Sequence, residues 1–302
     1  MGMVKSCIAV LAGLAFAGPA SGEGFEARIA SVSAELSAAA AAPEMKDLNQ
    51  RELLDLMRDP DPAVRKAALR SARYMISSRT LQERAIWMLN DGGEPEDVRV
   101  EAARALSYAS QDRNVQGVLM DASLWAETPL AVRVMSLKAL WFAAGSSRDP
   151  REFLMATVRR AENPALRNAA VWGLFDAARN REAREFLTDL LAVPGEPAFR
   201  LECVKSLYNG VQDWRVQEAL FRVINDVKEA AEVREAAMLA LSGANGDPRV
   251  RRFLADAAAD NAKTFLKVAA IEAQSPNPAK MRKFFHLGFR PVYGGFVSPL
   301  ED

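Results

Sequence analysis

The chain has 302 residues, of which half are hydrophobic, and 39 basic residues balance 39 acidic ones. This length and composition are those of a soluble globular protein with a sizeable core. The balanced charge argues against nucleic acid as the main partner, because proteins that bind nucleic acid usually carry a basic excess.

Residues 1–22 have the pattern of a cleaved signal peptide. Lys5 supplies a positive charge, residues 7–17 form an uncharged apolar run, and small residues follow, so that cleavage after Ala20 or Gly22 fits the pattern. The apolar run is too short to span a bilayer, which needs about 20 residues. The sequence therefore predicts an exported protein, periplasmic or secreted, with no membrane span. Residues 23–43 are expected to form an N-terminal helix or a tether.

A basic residue recurs along most of the remaining chain, in steps of 34, 34, 34, 33, 34 and 33 residues. These residues are Arg65, Arg99, Arg133, Arg167, Arg200, Arg234 and Lys267. The residue before each is apolar, the third and sixth residues after it are small, and the fourth is apolar. At 100° per residue these positions cover one broad face of a helix, and the small ones permit close approach of a neighbour. We call these segments the arginine helices.

Turns and a second set of helices complete the repeat. Most arginine helices follow a turn that contains proline or an acid, such as 59–62 (DPDP), because proline suits the first helical turn and acids complement the helix dipole. A second amphipathic run, the intervening helix, follows each arginine helix. A helix pair about every 34 residues predicts an all-α fold, an α-solenoid of about seven two-helix repeats over residues 44–286. Residues 287–302, rich in Gly, Pro and aromatics, are expected to form a non-helical tail.

The turn proline with its acid, the apolar-arginine pair and the A-x-x-A-L run resemble HEAT repeats of the armadillo type, including the short HEAT-like repeats also found in phycobilin lyases. A similar period occurs in tetratricopeptide repeats, but their early Trp, Gly and Tyr are absent here. The resemblance implies a superhelix in which turn acids and the arginines form a ladder between adjacent repeats. The acids implied are Asp61, Asp97, Glu127, Glu162, Glu196 and Glu232, although the choice within each turn stays open. The alternative for the arginine row is an anion-binding strip.

Few residues suit catalysis. His286 is the only histidine, and zinc or iron sites usually need two or more His or Cys. Deoxyhypusine hydroxylase, an enzyme built from HEAT-like repeats, holds iron with His-Glu pairs, and this sequence has no such pair. Cys203 falls on the small third position and is expected in the core, the alternative being an exposed thiolate for redox chemistry or chromophore attachment. The sequence predicts no catalytic residue, metal or cofactor.

An aromatic and basic patch is the main candidate binding site. The first, fifth and eighth positions after the arginine lie roughly opposite the predicted buried face. In the middle of the chain they include Lys138, Trp141, Trp172, Phe175, Lys205 and Tyr208. Trp and Tyr beside basic residues are typical of interface hot spots. The alternative places the eighth-position residues at the rim of the core.

These features predict a non-catalytic scaffold of the cell envelope that binds a protein or peptide along its surface, because solenoids provide long binding surfaces. Two alternatives remain: a lyase-like or other enzyme of the HEAT-like type, and a purely structural envelope spacer. A buried Trp172 would favour the spacer.

Overall fold

The computed structural model describes residues 50–259, 264–277 and 281. The regular structure of these residues is helical throughout. Four predicted features lie outside the described residues: the signal peptide 1–22, the segment 23–43, His286 and the tail 287–302.

The described helices follow one another in chain order and are separated by short turns. They are α1 (Gln50–Leu56), α2 (Pro62–Ala72), α3 (Arg79–Asn90), α4 (Glu96–Leu106), α5 (Arg113–Leu124), α6 (Leu130–Ala139), α7 (Trp141–Ser146), α8 (Arg148–Arg160), α9 (Pro164–Gly173), α10 (Arg181–Ala192), α11 (Pro197–Ser206), α12 (Trp214–Asn225), α13 (Ala231–Ala240), α14 (Pro248–Ala259) and α15 (Thr264–Gln274). The recurring basic residues lie on α2, α4, α6, α9, α11, α13 and α15. Five of these helices run into a 3-10 turn, and in the third repeat the short α7 takes its place.

Short polar side chains begin many of the helices. The Asp112 carboxylate accepts hydrogen bonds from the backbone N–H groups of Asn114 and Val115 at 2.8 and 3.2 Å, which satisfies two donors that the first turn of α5 leaves free. Asp61 accepts from Ala63 N–H at 2.9 Å in the same way. These caps mark the helix starts that the turn residues of the sequence predict.

The described residues fall into two compact units, 50–109 and 110 onward. In the first unit, α3 and α4 form a helical hairpin, and α2 packs on α4. In the second unit, hairpins α5/α6, α8/α9, α10/α11, α12/α13 and α14/α15 follow one another, and the arginine helices pack in succession, α6 on α9, α9 on α11, α11 on α13 and α13 on α15. This linear stacking of helix pairs is the α-solenoid arrangement. The prediction of an all-α, HEAT-like solenoid is therefore confirmed.

The small positions of the repeat lie at the contacts between arginine helices. The third-position residues are buried in every repeat. They are Ala68, Ala102, Ser136, Ala170, Cys203, Ala237 and Ala270. At the sixth position of the fourth repeat, a Cβ on Gly173 would stand only 2.9 Å from the carbonyl oxygen of Leu137. Glycine at this position therefore allows α9 to approach α6 closely.

Among the described residues, none of the helices combines the length and the apolar character that a bilayer crossing requires.

Candidate functional site

The aromatic residues predicted to form a binding patch are in the core. Trp141, Trp172 and Phe175 are 2%, 3% and 3% exposed. Tyr208 is half-buried. The prediction of an outer face is therefore wrong for Trp141, Trp172 and Phe175. The alternative, a place at the rim of the core for the eighth-position residues, agrees with the burial of Trp141 and Phe175.

The error comes from extending the helical wheel too far. The arginine helices α6 and α9 end at Ala139 and Gly173, so that the eighth-position residues Trp141 and Phe175 lie beyond them. Their rings pack across two successive repeats with their centres 6.2 Å apart. Trp172 does lie on α9, but α9 packs against α6, α8 and α11, so more than one of its faces is covered.

Lys138, Trp172, Glu202 and Lys205 form what we call the Glu202 cluster. The Lys138 ammonium lies 5.4 Å from the centre of the Trp172 ring. The Lys205 ammonium lies 3.9 Å from the Glu202 carboxylate. Burial raises the pKa of the Glu202 carboxyl, and the charges of Lys205 and Lys138 oppose the shift. The Glu202 side chain is 22% exposed, so solvent can reach this carboxyl. A half-buried carboxyl whose pKa is raised beside specific cations is a candidate proton donor.

The first unit has a related cluster that is closed by ion pairs. Glu101 occupies the position of its repeat that corresponds to Glu202, and its side chain is 2% exposed. One of its carboxylate oxygens accepts from Arg70 at 3.3 Å and from Arg104 at 3.0 Å. Because two guanidinium groups cover this carboxylate, it has a structural role between α2 and α4.

Two arginines of the row form ion pairs in which both partners are largely buried. Arg65 donates from Nε and Nη2 to Oε2 of Glu94, at 3.0 and 2.7 Å. Arg200 donates from Nε to Oε2 of Glu229 at 2.7 Å, and Nη1 donates to the carbonyl oxygen of Leu191 at 3.1 Å. In both pairs the acid lies in the turn before the next arginine helix.

The acids in these pairs differ from those implied by the resemblance. Each lies five residues before the next arginine, three residues earlier than Asp97 and Glu232. Asp97 instead accepts from Lys66 at 2.8 Å, and that hydrogen bond lowers the pKa of the Asp97 carboxyl. Asp61 caps α2. Glu127, Glu162, Glu196 and Glu232 are exposed and form no ion pair with the described arginines. The turn carries several acids, and only the backbone geometry decides which one points toward the arginine.

Three other arginines of the row cap the preceding intervening helix. Each donates from Nε to a carbonyl oxygen in the last turn of that helix, where no backbone N–H of the helix is available. The pairs are Arg99 to Leu89 at 2.9 Å, Arg133 to Ser123 at 2.9 Å and Arg234 to Ile224 at 2.8 Å. Arg167 differs from all of them, because its guanidinium lies over the Phe199 ring, 4.7 Å from the ring centre.

A second periodic row escaped the sequence analysis. Long polar side chains in the first turns of intervening helices donate to a carbonyl oxygen of the preceding turn. They are Gln116 to Ser110 at 2.9 Å, Arg151 to Ala144 at 3.1 Å, Arg184 to Ala178 at 3.4 Å and Gln217 to Val211 at 3.1 Å. The signal was present as recurrence in steps of 35, 33 and 33 residues. The recurring residue is Gln in two repeats and Arg in the two between them, and these types share only their length and N–H donors.

Cys203 lies in the core as its position in the repeat predicted, with no exposed surface. Burial raises the pKa of its thiol far above the usual range. Because the thiolate is the reactive form, this structure offers no support for chromophore attachment or redox chemistry at Cys203.

A cleft of about 410 Å³ lies between α10 and α12. The buried Arg200–Glu229 pair and the apolar residues Leu191 and Val223 line it, with Arg222 at its exposed edge. Within the part of the chain that the structure describes, His, Cys, Asp and Glu side chains nowhere form a group of three that could hold a metal ion.

No family model and no curated protein matches this chain. Among solved structures, the chain is similar to human deoxyhypusine hydroxylase in complex with glycerol, with 17% sequence identity over 86% of this chain and 99% of the other. The TM-score of 0.35 is too low for this likeness to carry an argument about this chain. The HEAT-like character rests on the helical hairpins and the arginine row described above.

The prediction of a non-catalytic scaffold that binds a protein or peptide must be corrected. Its proposed contact residues Trp141, Trp172 and Phe175 are buried between repeats. The predicted alternatives, an enzyme or a structural spacer, now remain.

Proposed function

We propose that this chain is a structural repeat module, in which the conspicuous side chains join neighbouring repeats. The observation that carries the proposal is the burial of Trp172, which is 3% exposed between successive arginine helices. An exposed Trp172 was the feature that would have favoured partner binding, and a buried one favours a spacer.

Other contacts support the same proposal. Trp141 packs on Phe175 of the following repeat. Arg200 binds Glu229 across the next turn, and Ser206 donates to the carbonyl oxygen of Val171 in the preceding repeat at 2.9 Å. Each of these side chains uses its polar or aromatic group inside the stack. Such contacts determine the register of one repeat on the next.

Complementation of a gene-deletion strain tests this proposal. We expect a Trp125→Ser/Trp214→Ser variant to restore the wild-type phenotype, because these side chains are 66% and 61% exposed. We expect Trp172→Ala to lower the melting temperature by several degrees and to fail, because loss of a buried aromatic costs about 3–5 kcal/mol. Circular dichroism melts of the purified variants provide the stability measurement.

The double surface variant is also the control for folding. If it melts like the wild type and yet fails to restore the phenotype, exposed aromatic side chains are functional and the proposal is wrong. A Trp172→Ala protein that melts like the wild type would contradict the burial on which the proposal rests.

A second candidate function is an enzyme of the HEAT-like repeat type, and one observation favours it. The raised pKa of Glu202 leaves a carboxyl that can hold a proton beside Lys138 and Lys205. General acid catalysis uses such a group. Turnover of an ester or glycoside substrate by the wild type, with loss of turnover in Glu202→Gln, would support the enzyme. Equal background rates in both proteins would count against it.

We propose further that the chain acts outside the cytoplasm. The support is the charged start, apolar run and small residues within 1–22. Intact-mass measurement of the protein from its native envelope is expected to show a chain that begins at Ser21 or Glu23. A chain that retains Met1 would contradict export through a cleaved signal.

A further inference from the structure

Arg167 is the exception in the arginine row. Among the described residues of the row, Arg65, Arg99, Arg133, Arg200 and Arg234 each donate to a carboxylate or a carbonyl oxygen. The Arg167 guanidinium makes no hydrogen bond and no ion pair within the described part of the chain, and its contact is the face of the Phe199 ring, 4.7 Å away. Arg167 is half-buried, so this cation is held in place without an acceptor.

The missing partner has a definite position. In the first and fifth repeats the acceptor is Glu94 or Glu229, five residues before the next arginine. For Arg167 the same position is Gly195, which has no side chain. The fourth repeat therefore keeps the cation of this ion pair and lacks the anion.

The space at Gly195 is open. A Cβ added there would meet Arg200 at 3.9 Å and Phe199 at 4.0 Å, which are ordinary contacts. Nearby Val193 is 62% exposed and adds an apolar surface beside the turn. A guanidinium that stacks on a ring still presents its N–H groups in its own plane, where a carboxylate can accept them.

We propose that Arg167, Phe199 and the turn at Gly195 form a binding site for a small carboxylate-bearing molecule. A carboxylate oxygen of the ligand takes the place that Oε2 of Glu94 and Oε2 of Glu229 take in the closed ion pairs. A monoanion fits better than a phosphate dianion, because the site offers one unpaired cation and the exposed acids Glu162 and Glu196 lie in the two flanking turns. This site is independent of the structural role proposed above.

Nuclear magnetic resonance of arginine Nε–H groups tests the site, with propionate as the probe at constant ionic strength. We expect a saturable shift of the Arg167 signal in the wild type. Gly195→Glu should abolish the shift, because it supplies an internal carboxylate, and it should raise the melting temperature. Arg167→Gln identifies the signal by its loss. Arg222→Gln, at an exposed arginine, is the matched control and should leave the titration of Arg167 unchanged.

Three outcomes would overturn the proposal. The first is a propionate titration of the wild type that does not saturate. The second is a Gly195→Glu protein that keeps its folded spectrum and still binds propionate with wild-type affinity, when a competing internal carboxylate should weaken binding at least about tenfold. The third is tighter binding of inorganic phosphate than of propionate, which would exclude carboxylate as the preferred chemistry.

Discussion

Glu202 shows how a single half-buried residue links protonation to stability. Partial burial raises the pKa of its carboxyl above its ordinary value, so the folded chain holds this proton more tightly than the unfolded chain does. The charged carboxylate therefore costs folding free energy. This cost is absent below the unfolded pKa, grows as the pH rises through the interval between the unfolded and folded pKa values, and is complete above the folded pKa.

We expect Glu202→Gln to raise the melting temperature at pH 7, and we expect this stabilisation to shrink as the pH falls toward the unfolded pKa of the carboxyl. Thermal melts of both proteins between pH 4 and 8 measure the difference. Glu232→Gln is the matched control, because Glu232 is exposed and should show no such pH dependence. A stabilisation of equal size at all pH values would mean that ionisation of Glu202 is not the cause.

At the scale of the element, both joints of a repeat are closed by long side chains that donate to carbonyl oxygens. Arg133 crosses the turn between α5 and α6, and Arg151 crosses the joint between α7 and α8. The last carbonyl groups of a helix have no partner within the helix. At joints that carry such a donor, the side chain therefore satisfies these groups and links consecutive helices.

The Arg200–Glu229 pair predicts a large cost for removing one partner. The two side chains are 10% and 6% exposed, so Arg200→Met leaves a buried carboxylate unpaired and should cost about 3–5 kcal/mol in the free energy of unfolding. The Arg200→Met/Glu229→Leu variant should recover part of this loss. Urea denaturation provides the measurement.

Arg215→Met is the control for that experiment. Arg215 pairs with Glu185 at 2.7 Å, but the side chains are 53% and 40% exposed, and solvent screening leaves such surface pairs with little effect on stability. If Arg200→Met and Arg215→Met lose equal free energy of unfolding, burial does not make the Arg200–Glu229 pair more important for stability than an exposed pair.

At the scale of the whole molecule, much of the fold was readable from one recurring residue. The arginine period located the helices, and the small third position located buried residues, including Cys203. The prolines and acids located the turns. These inferences succeeded because each depends on a helix and the turn beside it, which the local sequence controls.

The candidate site was less predictable. Trp172 was assigned to an outer face because a helical wheel assumes one buried side, whereas α9 is covered by the helix of its own hairpin and by an arginine helix on each flank. The sequence also did not determine which acid pairs with each arginine. Glu94 and Asp97, for example, lie close together in the sequence, but Glu94 binds Arg65 and Asp97 binds Lys66.

The sequence by itself determined the class of fold, the length of the repeat and the residues that begin and separate its helices. Only the tertiary structure decided which side chains lie between repeats, which carboxylates meet the arginines and that Arg167 meets a ring instead. The reason is physical: helix periodicity and capping act within a few residues, while burial and ion pairing depend on what the next repeat places about 34 residues away.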